Sequence, residues 1–193
     1  MKALLLGLFL TGSTLGIAQP AQVQKQWGFR AMGTFAPAYI PSMKQAYYSF
    51  SGNWNFYLNE HVSVQGEGSW FIDNLGSTRS GLVSYHKLQA GFTYHFLKHR
   101  ALDPFLGIHP GAGVLSYSDP NIMTLVAEPP RQEVVPMWSF GGGLNYYPGS
   151  ILHFFIQMRY NGAVAHEVRQ NTLSLHEVQL ALGIGLNFGI RRK

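Results

Sequence analysis

The sequence contains no cysteine. That excludes disulfides, thiol chemistry and any metal site built on sulfur. Charge is also scarce: Asp, Glu, Lys and Arg make up 12% of 193 residues, about half the share usual in soluble domains. A chain so poor in charge has little with which to solvate a water-facing surface. Beyond the N-terminus there is no long apolar run either, and a membrane-spanning helix needs about 20 such residues. What remains is 46% hydrophobic and 14% aromatic, with 22 glycines. The apolar residues are abundant but dispersed, so their spacing carries the information.

That spacing is clearest in the last segment, Glu177 to Ile190. Val178, Leu180, Leu182, Ile184, Leu186 and Phe188 alternate with Glu177, Gln179, Ala181, Gly183, Gly185 and Asn187. A strict period of two is the mark of a strand with two unlike faces. Ordinary globular strands run to about five or six residues, whereas a tilted strand crosses a bilayer in roughly 9–11. The length of this segment therefore predicts a transmembrane strand.

The chain opens Met1-Lys2, then an apolar run from Ala3 to Leu10, then small and polar residues to Gly16. This is the three-part layout of a cleavable signal peptide. Small residues at Gly16 and Ala18 place cleavage after Ala18, giving a signal peptide over 1–18 and one barrel domain over 19–193. The net charge of +5 is concentrated at Lys25, Lys98, Arg100, Arg191, Arg192 and Lys193. These lie at the chain ends or in one short turn and read as a solvated rim that can also meet anionic headgroups. Nothing resembles a nucleic-acid-binding module, so no nucleic acid is expected as a partner.

Eight alternating segments can be read along the chain. They are Gln26–Ala36, Gln45–Leu58, His61–Ile72, Leu82–Phe96, Leu102–Tyr117, Met137–Tyr147, Ile151–Tyr160 and Glu177–Ile190. Leu102–Tyr117 contains Pro104 and Pro110, and the second predicts a bulge. Long loops are expected at Pro37–Lys44, Asp73–Gly81, Ser118–Pro136 and Asn161–Ser174. Short turns are expected at Asn59–Glu60, Lys98–Ala101 and Pro148–Ser150. The alternation of long and short connections is that of an all-β, eight-stranded antiparallel up-and-down transmembrane β-barrel, with both chain ends in the periplasm. Closure leaves no strand edge exposed to lipid.

A soluble barrel could show the same alternation with its apolar face inward. The polar face distinguishes the two. It holds Ser, Asn, Gln, Thr and Gly rather than the Lys and Glu of a wetted surface, which suits the cramped interior of a small barrel. Large aromatics near strand ends, among them Trp27, Tyr48, Trp70, Phe96, Trp138, Tyr146 and Tyr160, suit interfacial girdles. A few charges fall on the polar face: Arg30, Glu67, Lys87, Arg159 and Glu177. They form the candidate lumen network, with Arg159 and Glu177 expected to pair.

On these features the chain resembles the small eight-stranded outer-membrane proteins of Gram-negative bacteria, of the OmpX and OmpA transmembrane-domain type. The resemblance runs from Gln26 to Ile190. Gly183, Leu186 and Phe188 are similar to the terminal signal read by the barrel-assembly machinery, although Ala181 stands where a polar residue is usual and five residues follow Phe188. The resemblance implies insertion by that machinery and an outer membrane of lipid and lipopolysaccharide as the setting, with the barrel monomeric.

Some barrels of this size are enzymes. The lipid A deacylases of the PagL type carry a His and a Ser two apart near the end of the penultimate strand. Arg159 to Glu167 has no such pair. Ser174, His176 and Glu177 do bring a hydroxyl, an imidazole and an acid together, and acyl hydrolysis needs those groups in mutual reach. His95, His109 and His153 share lumen parity but have no ligand spacing, so no metal and no cofactor is expected. The expectation is a non-catalytic barrel with an envelope-structural role, or one in adhesion or recognition, working through its outer loops. A lipid A-modifying hydrolase and a narrow channel are the alternatives.

Overall fold

The computed structural model describes residues 28–75, 82–97, 101–117, 130–168 and 171–189. The expected signal peptide, Trp27 and the basic residues of both chain ends lie outside this set, as do Lys98 and Arg100. The strands are β1 Gly28–Ile40, β2 Gln45–Tyr57, β3 Val62–Leu75, β4 Leu82–His95, β5 Leu102–Tyr117, β6 Arg131–Tyr146, β7 Leu152–Val168, β8 Asn171–Ser174 and β9 Glu177–Gly189. Each long strand pairs antiparallel with the next, and β9 pairs with both β7 and β1, which closes the sheet. The wall therefore has eight strands, while β8 is a short return that, among the described residues, pairs with the far end of β7.

The pairing register sets the stagger. Following partners from Phe29 through Phe56, Val64, Phe92, Ile108, Phe140, Tyr160 and Val178 leads back to β1 at Tyr39, ten residues along from the start. A shift of that size over eight strands corresponds to a tilt of roughly 40°. Small inward residues make such tight coiling possible. A Cβ added to inward-facing Gly91 or Gly143 would collide with the carbonyl of Ile108 or Ile156 on the adjoining strand.

The two faces differ as the alternation predicts. In β2, Ser49, Ser51, Asn53 and Asn55 are buried while Phe50, Trp54 and Phe56 are exposed. Trp70 is 54% exposed and Leu182 53%, yet the inward Asn53 is only 5% exposed. Apolar side chains on the outside and polar ones within reverse the arrangement of a soluble barrel and match a wall that faces lipid.

At the long-loop end the strands run further than the sequence pattern indicates. β1 passes through Pro37 to Ile40 and turns in a short 3-10 segment, Pro41–Met43, with Lys44 left-handed at φ 49°. β3 continues to Leu75, β6 begins at Arg131, and β7 extends to Val168 before returning as β8. The cause is an apolar cluster inside this end of the barrel, which includes Ile40, Tyr47, Leu82, Tyr85, Leu115, Val135, Met137, Ala165 and Leu175. With both faces apolar, as in neighbouring Val134 and Val135, the polar–apolar alternation disappears although the strand continues.

Two local expectations need correction. No bulge forms at Pro110: β5 stays in register with β6 throughout, and Pro110 lies opposite Trp138. The register with β4 is the same on either side of Pro110, Gln89–Gly111 and Phe92–Ile108, with the two pairs between them absent, as suits a residue with no N–H to donate. Register shifts occur instead at Tyr48/Ser49 and at Leu82/Ser84. The turn after β2 is also wider than two residues. It spans residues 58–61, with Asn59 Oδ1 accepting the N–H groups of His61 and Val62, both at 2.8 Å.

Candidate functional site: the lumen network and the outer rim

Six charged side chains are buried among the described residues: Arg30, Glu67, Lys87, Asp103, Arg159 and Glu177. Three are basic and three acidic, so these six balance in sign. They occupy successive levels along the barrel, because each strand contributes every second residue to the lumen.

Nearest the short turns, the Arg30 guanidinium lies 4.3 Å from the ring centre of Tyr57 and 4.9 Å from that of Tyr147. His95 Nδ1 is 2.8 Å from Asp103 Oδ2, and the Tyr147 hydroxyl donates to the same oxygen at 3.5 Å. His95 Nε2 meets Ser63 Oγ at 3.1 Å. Asp103 was missed in the sequence because it stands beside an expected turn. Its parity with Phe105 and Gly107 was the available signal.

At mid-height, Arg159 Nη1 donates to Glu67 Oε2 at 2.6 Å. The same guanidinium reaches Gln89 Oε1 and Gln157 Oε1, each at 3.2 Å. Ser139 Oγ donates to Gln89 Oε1 at 3.2 Å, and Thr93 Oγ1 to Gln65 Oε1 at 3.1 Å. Between this level and the one below is a cavity of about 10 Å³, lined in part by Asn53, Asn55, Gln65, Thr93 and His95. That is at the lower limit for a single water.

Above it, Glu177 accepts from the Lys87 ammonium, the Tyr47 hydroxyl and Asn161 Nδ2. Lys87 Nζ also donates to Tyr47 Oη at 3.1 Å and lies 5.4 Å from the ring centre of Tyr85. The apolar cluster caps this level. A carboxylate with three donors is satisfied where it sits, which is the condition for holding a charge away from water.

The expected Arg159–Glu177 pair does not form. In the β7–β9 register Arg159 stands opposite Gln179, and Glu177 opposite Asn161. Each charge instead finds its partner across the lumen, on β3 for Arg159 and on β4 for Glu177.

Ser174, His176 and Glu177 are not assembled either. Glu177 is fully buried inside the wall, whereas the neighbouring His176 stacks on the outward-facing Tyr160, with ring centres 5.7 Å apart. His176 Nδ1 and the Tyr160 hydroxyl are 2.8 Å apart, and no hydrogen bond joins Ser174 to His176 among the described residues. A hydrolytic triad needs its acid on the imidazole, and here the wall separates them. His95, His109 and His153 are all buried in the lumen. Among the described residues no three metal-binding side chains gather in one place.

No protein-family model and no curated protein matches the chain. Solved structures do. Neisserial surface protein A has a TM-score of 0.63 at 12% identity, covering 83% of this chain and 96% of its own. The N-terminal β-barrel domain of Pseudomonas aeruginosa OprF has a TM-score of 0.59 at 16% identity, with 84% and 98% covered. Ail, the attachment invasion locus protein of Yersinia pestis, solved with the heparin analogue sucrose octasulfate, has a TM-score of 0.52 at 14% identity, with 84% and 100% covered. The chain is similar to these small outer-membrane barrels in fold.

Proposed function

We propose that this protein is a non-catalytic barrel of the bacterial outer membrane, with an envelope-structural role or one in surface adhesion or recognition through its outer loops. The observation that carries this reading is the filled lumen: balanced, hydrogen-bonded charges stacked beneath an apolar cap. Such an interior favours a rigid plug over a conduit. Rigid scaffolds commonly present function on their loops. The long-loop end then faces outward, both chain ends lie in the periplasm, and outer-membrane lipid and lipopolysaccharide surround the wall. Insertion uses the barrel-assembly machinery, and the barrel is monomeric.

The separation of His176 from Glu177 weighs against a lipid A hydrolase. Two measurements test the reading together. Planar-bilayer recording on the purified barrel gives conductance near background, and mass spectrometry of lipid A gives the same species from cells with and without the protein. Cells displaying the barrel then differ from cells lacking it in attachment or partner capture, and loop deletions abolish that difference. A large selective conductance, or loss of an acyl chain from lipid A, would overturn the proposal.

A further inference from the structure

On the outer face, where β6, β7 and β9 approach their long-loop ends, lies a groove of about 280 Å³ whose lining includes Pro136, Trp138, Gly162, Val164 and His176. Its floor depends on Gly162. A Cβ there would stand 2.6 Å from Trp138 Cε2, so only glycine lets the indole lie flat against β7. Two more rings continue from that indole across the strands. Trp138 and Tyr160 have centres 5.6 Å apart, and Tyr160 stacks on His176 at 5.7 Å with 20° between the planes.

The array carries polar atoms at the Trp138 indole N–H, the Tyr160 hydroxyl and the His176 ring. The Tyr160 hydroxyl and His176 Nδ1 are 2.8 Å apart; in the tautomer in which the hydroxyl donates to Nδ1, the ring proton sits on Nε2. His176 Nε2 has no hydrogen-bond partner among the described residues, and His176 lines the groove. Just below, Phe140, Val178 and Leu180 are all exposed on the lipid-facing wall, so the groove opens from the apolar belt towards the headgroup level. A feature that is largely apolar and offers ring N–H donors fits a molecule with an apolar chain and a hydrogen-bond-accepting head.

We propose that this groove seats an acyl chain of a phosphorylated outer-leaflet lipid, with a phosphate oxygen accepting the His176 Nε2–H. The inference rests on the membrane reading given above. The chain provides most of the hold through contact with Trp138, Pro136 and Val164. The imidazole provides the preference for a phosphate-bearing headgroup over an uncharged sugar one, because a hydrogen bond to a charged acceptor is among the stronger ones.

The test uses the purified barrel in vesicles of the uncharged, phosphate-free lipid digalactosyldiacylglycerol with a minor share of phosphatidylglycerol, followed by native mass spectrometry of the lipid retained on the protein. Wild type is expected to retain phosphatidylglycerol over the phosphate-free galactolipid by about tenfold. His176→Phe keeps the stacking but removes the donor, so both lipids are retained alike. Val164→Trp fills the groove and lowers retention of both. Excess inorganic phosphate leaves wild-type retention unchanged, because it lacks the chain. Folding is read by heat-modifiable migration on gels, so a variant that does not fold is set aside and the other decides. An inserted wild-type barrel without lipid preference, or displacement by inorganic phosphate, overturns the inference and leaves the membrane reading intact. A barrel that stays soluble and never inserts overturns both.

Discussion

His176 and Glu177 are adjacent in sequence and lie on opposite sides of the barrel wall. The imidazole stacks on Tyr160 outside, and the carboxylate accepts from Lys87, Tyr47 and Asn161 within. The pleat alone imposes this, since successive side chains of a strand point to opposite faces. A short Ser–His–acid string in a strand therefore cannot by itself bring the acid to the imidazole.

Removing the Glu177 carboxylate leaves the Lys87 ammonium buried beside Tyr85 and Tyr47. Glu177→Ala is expected to cost about 3–5 kcal/mol, read as a lower midpoint in heat-modifiability or denaturant titration in vesicles. Conductance stays near background, because the apolar cap still closes the lumen above. Lys87→Met combined with Glu177→Leu is expected to recover most of the loss, since a well-packed apolar pair replaces a buried ion pair at little cost.

Arg159 and Glu67 form the second buried pair, at 2.6 Å. Arg159→Met and Glu67→Gln are each expected to destabilise the barrel, and the double variant by less than their sum. A double-mutant cycle in lipid vesicles should give coupling of about 0.5–3 kcal/mol. Applied to Arg159→Met and Glu177→Gln, the same cycle should give a smaller value. Equal coupling would mean that Arg159 pairs with Glu177 after all.

The outward face can be probed at Leu182, which lies mid-strand between Phe35 and Ile156 and is 53% exposed. Leu182→Arg is expected to cost roughly 2–4 kcal/mol when unfolding is measured in a bilayer. In a soluble barrel an arginine at so exposed a position would cost almost nothing, so a neutral result would sink the lipid-facing assignment.

Leu115 is fully buried in the apolar cap. Leu115→Ala is expected to lower stability by about 2–5 kcal/mol and to speed hydrogen exchange at the start of β6, around Val134 and Val135. Exchange near Gly143, towards the other end of the same strand, should change much less. Uniform acceleration along β6 would show that the cap does not hold the strand ends.

The faces were legible in the sequence because they are local. A period of two needs no knowledge of the rest of the chain, and it assigned Arg30, Glu67, Lys87, Arg159 and Glu177 to one side of their strands and Phe50, Trp70 and Leu182 to the other. The pattern failed where Val134, Val135 and their neighbours are apolar on both faces, which hid the upper reach of β6 and β7.

The amino-acid sequence by itself determined the number of wall strands, their alternating connections and which side chains point inward. Tertiary structure decided who meets whom. Arg159 joins Glu67 rather than Glu177, and Lys87 lies beneath an apolar cap, because closure staggers the sheet by ten residues and brings distant strands level across the lumen. Alternation sets a side chain's face, but its height around a closed barrel is a property of all eight strands together.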